Sequence, residues 1–551
     1  MKTKIYIILM LSFILCEDSS NQIILFNSAQ ELEKINNIDE ALNIYIKLFN
    51  ENNSSKKIYK KIKPILIDKG DYKTLISILI KHIDSLNDNN EKFLLDIDLL
   101  ELQIWDKSNK WQTHLDYLFN EYIINETNSN FIIKKNRAKI ITQKLSKNNL
   151  IHDSYNLIKK VRMHFKDQLN LSNEKINLSA KDTTFLSRDM ISILSKNNLY
   201  KLAIDECFLF LKSNKNNFFK KTLKDEIFIF CDKILFDATN VNVSLPISNS
   251  QFESNLFFNF NLSKNYEMDE INYLIKIYEK MIANNFELNK SKFYLANIYY
   301  EIFSDLDSAY DIYYDIYSSN DDLKFNALIK ICDIVVEKGQ LEKALELIDE
   351  SINIVYSYNS LNDNMIYKKL NFKKIEYLFY LGDYSLLLSE LENQIKLYDL
   401  GDKELNDLLE LKTILISFNQ DKINFKNFAN IQYKINMNKI FESYSDLNKL
   451  INSENILIAE LTQFQYCLLE IKKGNFIDVK KIIESMNDKT IYTELSKILE
   501  IEIEDFIFNN YLDSMDLYEN FLISYPNSIY KENIINRLNQ IEKILNKDTD
   551  L

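Results

Sequence analysis

The sequence predicts an all-α chain built as an α-solenoid of stacked helix-turn-helix repeats, and three observations carry that expectation. Only five glycines and three prolines occur in 551 residues, too few to punctuate the many tight turns of an all-β protein. Four of those five glycines, Gly70, Gly339, Gly382 and Gly474, fall at one place in a recurring pattern. The chain also exceeds the roughly 250–300 residues at which a single core stops growing, so several domains or an open-ended repeat are expected.

The pattern is read most clearly with Gly339 as position zero: Leu341 follows at +2, Ala344 at +5 and Ile348 at +9. Positions +5 and +9 are four apart and share one face of a helix, and a small residue at +5 lets a neighbouring helix approach closely. Glycine and asparagine tolerate the left-handed backbone that ends a helix, so position zero is a turn between two helices.

Along the chain the first unit turns at Asn36, with Ile38, Ala41 and Tyr45. Gly70 follows with Tyr72 and Leu79, then Asn109 with Trp111 and Leu118, and Asn148 with Leu150 and Leu157. Asn198 returns to the full pattern, with Tyr200, Ala203 and Cys207. Lys264 (Tyr266, Tyr273) is a weak match. Ser304 (Leu306, Ala309, Tyr313) and Gly339 are full ones. Gly382 (Tyr384, Leu391), Asn438 (Ile440, Leu447), Gly474 (Phe476, Ile483) and Asn509 (Tyr511, Tyr518) complete the series, which makes about twelve helix pairs.

The stretch "KICDIVVEKGQLEKALELIDESI" resembles the tetratricopeptide repeat (TPR), and "KGDY" at 69–72 and "LGDY" at 381–384 look like the turn of that family. Before Ser304, Phe293 and Tyr300 stand where the family has its Trp and Tyr. Cys332 stands at the small position of the first helix, and Pro526 at that of the terminal proline. The array is degenerate: Asn36 to Gly70 spans 34 residues, the family spacing, but Asn148 to Asn198 spans 50. The resemblance implies a superhelix whose first helices line a concave groove and select a peptide or helix of another protein.

The first residues, "MKTKIYIILMLSFILCEDSS", place Lys2 and Lys4 before an apolar run from Ile5 to Leu15. Eleven apolar residues are too few for a membrane span of about 20, so residues 1–16 are expected to be an export signal. Cys16 directly after the run is similar to the lipid-bearing cysteine of bacterial lipoproteins, although Leu15 stands where a small residue is usual. Ordinary cleaved secretion and an uncleaved anchor are the alternatives. The expected location is the periplasm or outer membrane, with membrane attachment only through that lipid.

One stretch, "DATNVNVSLPISNSQFESNLFFNFNLSK" at 237–264, lacks helical periodicity and reads as a long loop or an inserted short strand. The expected organisation is an N-terminal array over 22–236, a linker over 237–263 and a C-terminal array over 264–546. The last unit, "YENFLISYPNSIYKENIINRL", is similar to repeats of envelope lipoproteins, including a component of the β-barrel assembly machinery.

No catalytic constellation emerges. His82, His114, His152 and His164 include no HExxH pair. Neither GxGxxG nor GxxxxGK[ST] occurs, and "DIDLLE" and "SDLDSA" lack the glycine of an EF-hand loop. No CxxC pair is present for zinc. Cys207, Cys231, Cys332 and Cys467 read as buried thiols, with a Cys207–Cys231 disulfide open in an oxidising compartment. No cofactor is expected.

The net charge is −13, with acidic and basic residues interleaved, so a nucleic-acid footprint is lacking. The expected function is an exported, non-catalytic scaffold for protein–protein interaction, in outer-membrane or envelope complex assembly. The alternative from another class is a lipid-anchored, SusD-like glycan- or nutrient-binding protein, against which stands the presence of only two Trp, Trp105 and Trp111. A hydrolase with an unrecognised carboxylate pair is a third reading.

Overall fold

A computed structural model describes residues 22–51, 56–125, 131–171, 186–213, 218–241, 245, 248, 264–319, 321–356, 361–437, 439–486 and 490–549. The expected export signal over 1–16 with Cys16, Asn438, and most of the expected 237–263 linker lie outside the described residues. Among those described, the fold is all-α apart from one two-stranded antiparallel ribbon, in which Thr239–Val241 pairs with Lys264–Tyr266.

Two compact units divide the chain, Met1–Phe230 and Cys231–Leu551, and the break falls within the helix Phe218–Ala238. In each unit, helices pack on the helix that follows them in sequence. Examples are Lys56–Asp68 on Tyr72–Asp84 in the first and Lys324–Glu337 on Leu341–Tyr356 in the second. Each unit is therefore a stack of helical hairpins.

The turns follow from local chemistry. Gly70, Gly339, Gly382 and Gly474 take φ values of +68°, +82°, +73° and +81°. At Gly339 the glycine amide donates to the Val336 carbonyl (2.9 Å) and the Gln340 amide to Val335 (3.0 Å), the paired bonds of a Schellman helix end. After Gly70 and Gly382 an aspartate restarts the chain: Asp71 accepts from the Thr74 amide (3.1 Å), and Asp383 from Ser385 and Leu386 (3.1 and 3.0 Å). A left-handed residue followed by an N-capping Asp thus closes one helix and opens the next.

Where glycine is absent, Asn36, Asn198, Asn509 and Ser304 take the left-handed conformation. Three sequence assignments shift. The left-handed residue is Asn149 rather than Asn148, and this moves the frame onto Ile151, Ser154 and Ile158. It is Lys107 rather than Asn109, because the chain there uses one more residue before the helix Lys110–Phe119 begins. Lys264 is no helix turn at all; it pairs with Val241 in the ribbon.

Packing repeats with the same period. Ala41, Ala203, Ala309 and Ala344 at +5 are fully buried, as are Tyr45, Cys207, Tyr313 and Ile348 at +9. In other units the +5 place is taken by serine: Ser154, Ser443 and Ser514 are equally buried. Serine is nearly as small as alanine, and the Ser514 hydroxyl donates to the Asn510 carbonyl (2.6 Å) in the preceding turn, so its polar atom needs no other partner. Cys207, Cys231, Cys332 and Cys467 are all buried free thiols, which corrects the expected option of a Cys207–Cys231 disulfide.

Candidate functional site

In the C-terminal unit, helices also pack on others beyond their neighbours in sequence. Lys324–Glu337 meets Leu361–Leu381, Lys403–Ser417 meets Ile456–Lys473, and Ile456–Lys473 meets Ile491–Glu502. These helices share the apolar core of the unit, and set into it are tyrosines and carboxylates that bond to one another.

The network begins at Asp333, which accepts from the Tyr377 hydroxyl (2.8 Å) and from Lys373 Nζ (2.9 Å). Lys373 also pairs with Glu376 (2.8 Å), and Glu376 accepts from the Tyr380 hydroxyl (3.1 Å). The Tyr300 hydroxyl donates to Glu337, and Lys330 Nζ lies 5.1 Å from the centroid of the Tyr300 ring while paired to Glu301 (2.9 Å). Tyr380 stacks on Tyr433 (5.7 Å, 24°), whose hydroxyl donates to the Val336 carbonyl (3.1 Å).

The same chemistry continues further along the stack. The Tyr492 hydroxyl donates to Glu410 (2.6 Å), and buried Glu460 accepts from Thr490 and Thr493 (2.5 and 2.6 Å). Gln432 and Gln465 exchange two amide hydrogen bonds (2.8 and 3.0 Å). Glu404 and Asp407, on the helix of Glu410, have no cationic partner among the described side chains.

Electrostatics follow from burial and like charge. Burial, then the Glu410 and Glu404 carboxylates, push Asp407 up to about 7. Burial lifts Glu337 above the usual carboxylate range, although the Tyr300 bond acts the other way. Burial lowers Lys373, but Asp333 and Glu376 outweigh it and hold the ammonium firmly charged. Burial and neighbouring carboxylates raise Tyr377 and Tyr380, so their hydroxyls stay protonated donors. The buried network holds its own geometry through Tyr-to-carboxylate bonds, while Glu404 and Asp407 lie outside any ion pair among the described residues.

The residues singled out from sequence lie elsewhere. Gly70, Gly339, Gly382 and Gly474 form hairpin corners, while Ala41, Ala203, Ala309, Ala344 and Ile348 pack inside the second helices. Pro526 is exposed in the turn between Tyr511–Ser524 and Lys531–Thr549. None of them enters the polar network. That network carries a sequence signal of its own: polar pairs four apart on first helices, Asp333 with Glu337, Lys373 with Tyr377, and Glu376 with Tyr380.

Among the described residues, no three His, Cys, Asp or Glu side chains are grouped to hold a metal ion, and no helix is long and apolar enough to cross a membrane.

No family model matches the chain. A stretch of 246 residues is 24% identical to DNA-directed RNA polymerase subunit beta'' of Plasmodium falciparum (isolate 3D7), covering 44% of this chain and 20% of that protein. The chain thus spans a fifth of that relative's length. Among solved structures it is similar to Naa15/Naa10 bound to HypK-THB, at 12% identity and a TM-score of 0.25, over 96% of this chain and 87% of that one. The APC/C hetero-tetramer Cut9-Hcn1 aligns at 14% identity and 0.23, over 94% and 96% of the two chains. Yeast Tom70 aligns at 13% and 0.23, over 96% and 97%. At these TM-scores the architecture rests on the helices described above rather than on any superposition.

Proposed function

We propose that the protein is a non-catalytic scaffold that binds another protein, and that the helix Lys403–Ser417 of its C-terminal unit carries the binding face. The observation that supports this reading is the run of carboxylates there, Glu404, Asp407 and Glu410, of which Glu404 and Asp407 have no cationic partner among the described side chains. An acidic helix face suits an extended segment or helix rich in Lys and Arg, because cations pair with the carboxylates.

Export to the cell envelope, with lipid on Cys16, and a role in assembling outer-membrane or envelope complexes belong to the same proposal. They are supported by Lys2, Lys4 and the apolar run Ile5 to Leu15. Mass spectrometry of the mature N-terminus tests the lipid.

Affinity capture from envelope extract tests the binding face, with the parent chain run beside the double variant Glu404→Lys, Asp407→Lys. A basic protein retained by the parent and lost from the variant is the expected result. Equal retention by both, or retention of glycan in place of protein, overturns the reading.

A further inference from the structure

A cavity of about 270 Å³ lies in the N-terminal unit, among the helices Lys56–Asp68, Tyr72–Asp84 and Asn89–Trp105. Tyr59 and His82 form part of its wall, at 4% and 1% exposure, with ring centroids 5.5 Å apart. The Tyr59 hydroxyl and His82 Nδ1 have no hydrogen-bond partner. Leaving a buried polar atom unpaired costs about 1–3 kcal/mol, so two on adjacent rings in one cavity wall point to something that enters and satisfies both.

The rest of the lining states the chemistry of that group. Lys56 is tied to Glu91 and Lys63 to Asp98, each at 2.5 Å. Lys60 lines the same cavity and makes no ion pair among the described residues. Three lysines against two carboxylates leave the lining one positive charge in surplus, on the side chain free to move. Pro64 and Leu95 supply an apolar wall.

Both orphaned atoms can donate. The tyrosine hydroxyl does so directly, and the neutral imidazole does so in its Nδ1–H tautomer. Burial, assisted by Lys56 and opposed by Glu91, keeps His82 below its ordinary pKa and therefore neutral. Two donors and one unpaired ammonium in the lining of one cavity, beside a short apolar wall, match a carboxylate, whose oxygens can accept all three bonds.

We propose that this cavity binds a small carboxylate with a short apolar body, its oxygens held by the Tyr59 hydroxyl, His82 Nδ1–H and Lys60. The volume lies below the range of about 300–1,000 Å³ typical of drug-sized ligands, which favours a compact acid or the C-terminal residue of a peptide over a folded surface. The site is independent of the acidic face in the other unit, so either assignment can fail without the other.

The test uses the full chain carrying isotope-labelled histidine, whose four histidines give few ring signals; loss of one signal in His82→Phe identifies His82. Butyrate, a tripeptide with an apolar C-terminal residue, and inorganic phosphate are titrated separately. The expected result is a saturable shift of the His82 signal with butyrate, weakened about tenfold or more in Tyr59→Phe, equivalent to the loss of one hydrogen bond to a charged group. Response to the tripeptide as well identifies a chain terminus as a source of the same carboxylate. Response to phosphate alone overturns the assignment, as does binding that Tyr59→Phe leaves unchanged. No response to any probe means that water fills the cavity, and the proposal fails. Melting of each variant without ligand guards against misfolding, since Tyr59→Phe removes an unpaired hydroxyl and is expected to leave stability unchanged or raised.

Discussion

The Tyr377 hydroxyl reaches from one first helix to the Asp333 carboxylate on another, at 2.8 Å across 44 residues of sequence. That bond fixes the register of two stacked hairpins, because Lys373, one turn before Tyr377, lands on the same carboxylate. Tyr377→Phe keeps the buried ring and removes only the bond. A loss of about 1.5–3 kcal/mol is expected in urea denaturation, the range for hydrogen bonds to charged groups. An unchanged midpoint would show that Lys373 alone sets the register.

Ala344 is fully buried at the +5 position of its hairpin. Ala344→Trp forces a large ring between helices already in contact and is expected to lower stability by about 3 kcal/mol or more. Melting at the temperature of the parent chain would sink the packing role assigned to this position.

Gly382 and Gly70 share the left-handed conformation but not the surroundings. A Cβ on Gly382 would lie 3.1 Å from Lys426 Cγ, whereas one on Gly70 meets nothing within 4 Å. Both alanine variants carry the left-handed penalty of about 1–2 kcal/mol, and Gly382→Ala is expected to melt lower than Gly70→Ala. Gly70→Asn is expected to cost less than Gly70→Ala, since asparagine already holds this conformation at Asn36, Asn149 and Asn198. Three thermal melts rank them.

Asp407 titrates near 7 when folded and near 3.8 in its unperturbed state. The folded state thus holds that proton more tightly, so stability is lost as pH rises from about 4 through 7. Asp407→Asn removes this dependence. At pH 8 the variant is expected to be more stable than the parent, by about 1–2 kcal/mol once partial exposure is discounted. Below pH 4 the two should coincide. Denaturation across that window decides it.

Ser248 lies between the two strands of the ribbon in sequence, yet its amide and hydroxyl both donate to buried Glu502, at 3.0 and 2.5 Å. Leu245 beside it is fully buried in the apolar core of the same unit. Ser248→Ala deletes one of the two bonds and is expected to cost about 1–3 kcal/mol. Hydrogen exchange at the Ser248 amide is expected to rise in the variant. No change in either would mean that Leu245 alone holds the segment.

Much of the fold was legible because its determinants are local. Gly339 reads as a corner from its own conformational freedom, and Ala344 and Ile348 read as a buried face from their spacing of four. Asn148 misled by one residue because "NN" offers two equivalent asparagines, and only backbone geometry picks Asn149. Ser154 and Ser514 were passed over because a polar side chain at a small position looks foreign until its hydroxyl is seen to bond the preceding turn or helix.

By itself the sequence determined the helical hairpin and its punctuation, since left-handed turns, N-capping aspartates and four-residue spacing act within a few bonds of chain. Which side chains meet was decided only by the stacking of hairpins. Asp333 and Lys373 lie 40 residues apart, Tyr492 and Glu410 are separated by 82, and Ser248 and Glu502 by 254. Hydrogen bonds and charge interactions fall off within a few ångströms, so their partners are set by how each helix is rotated and shifted against the next, and no local pattern encodes that.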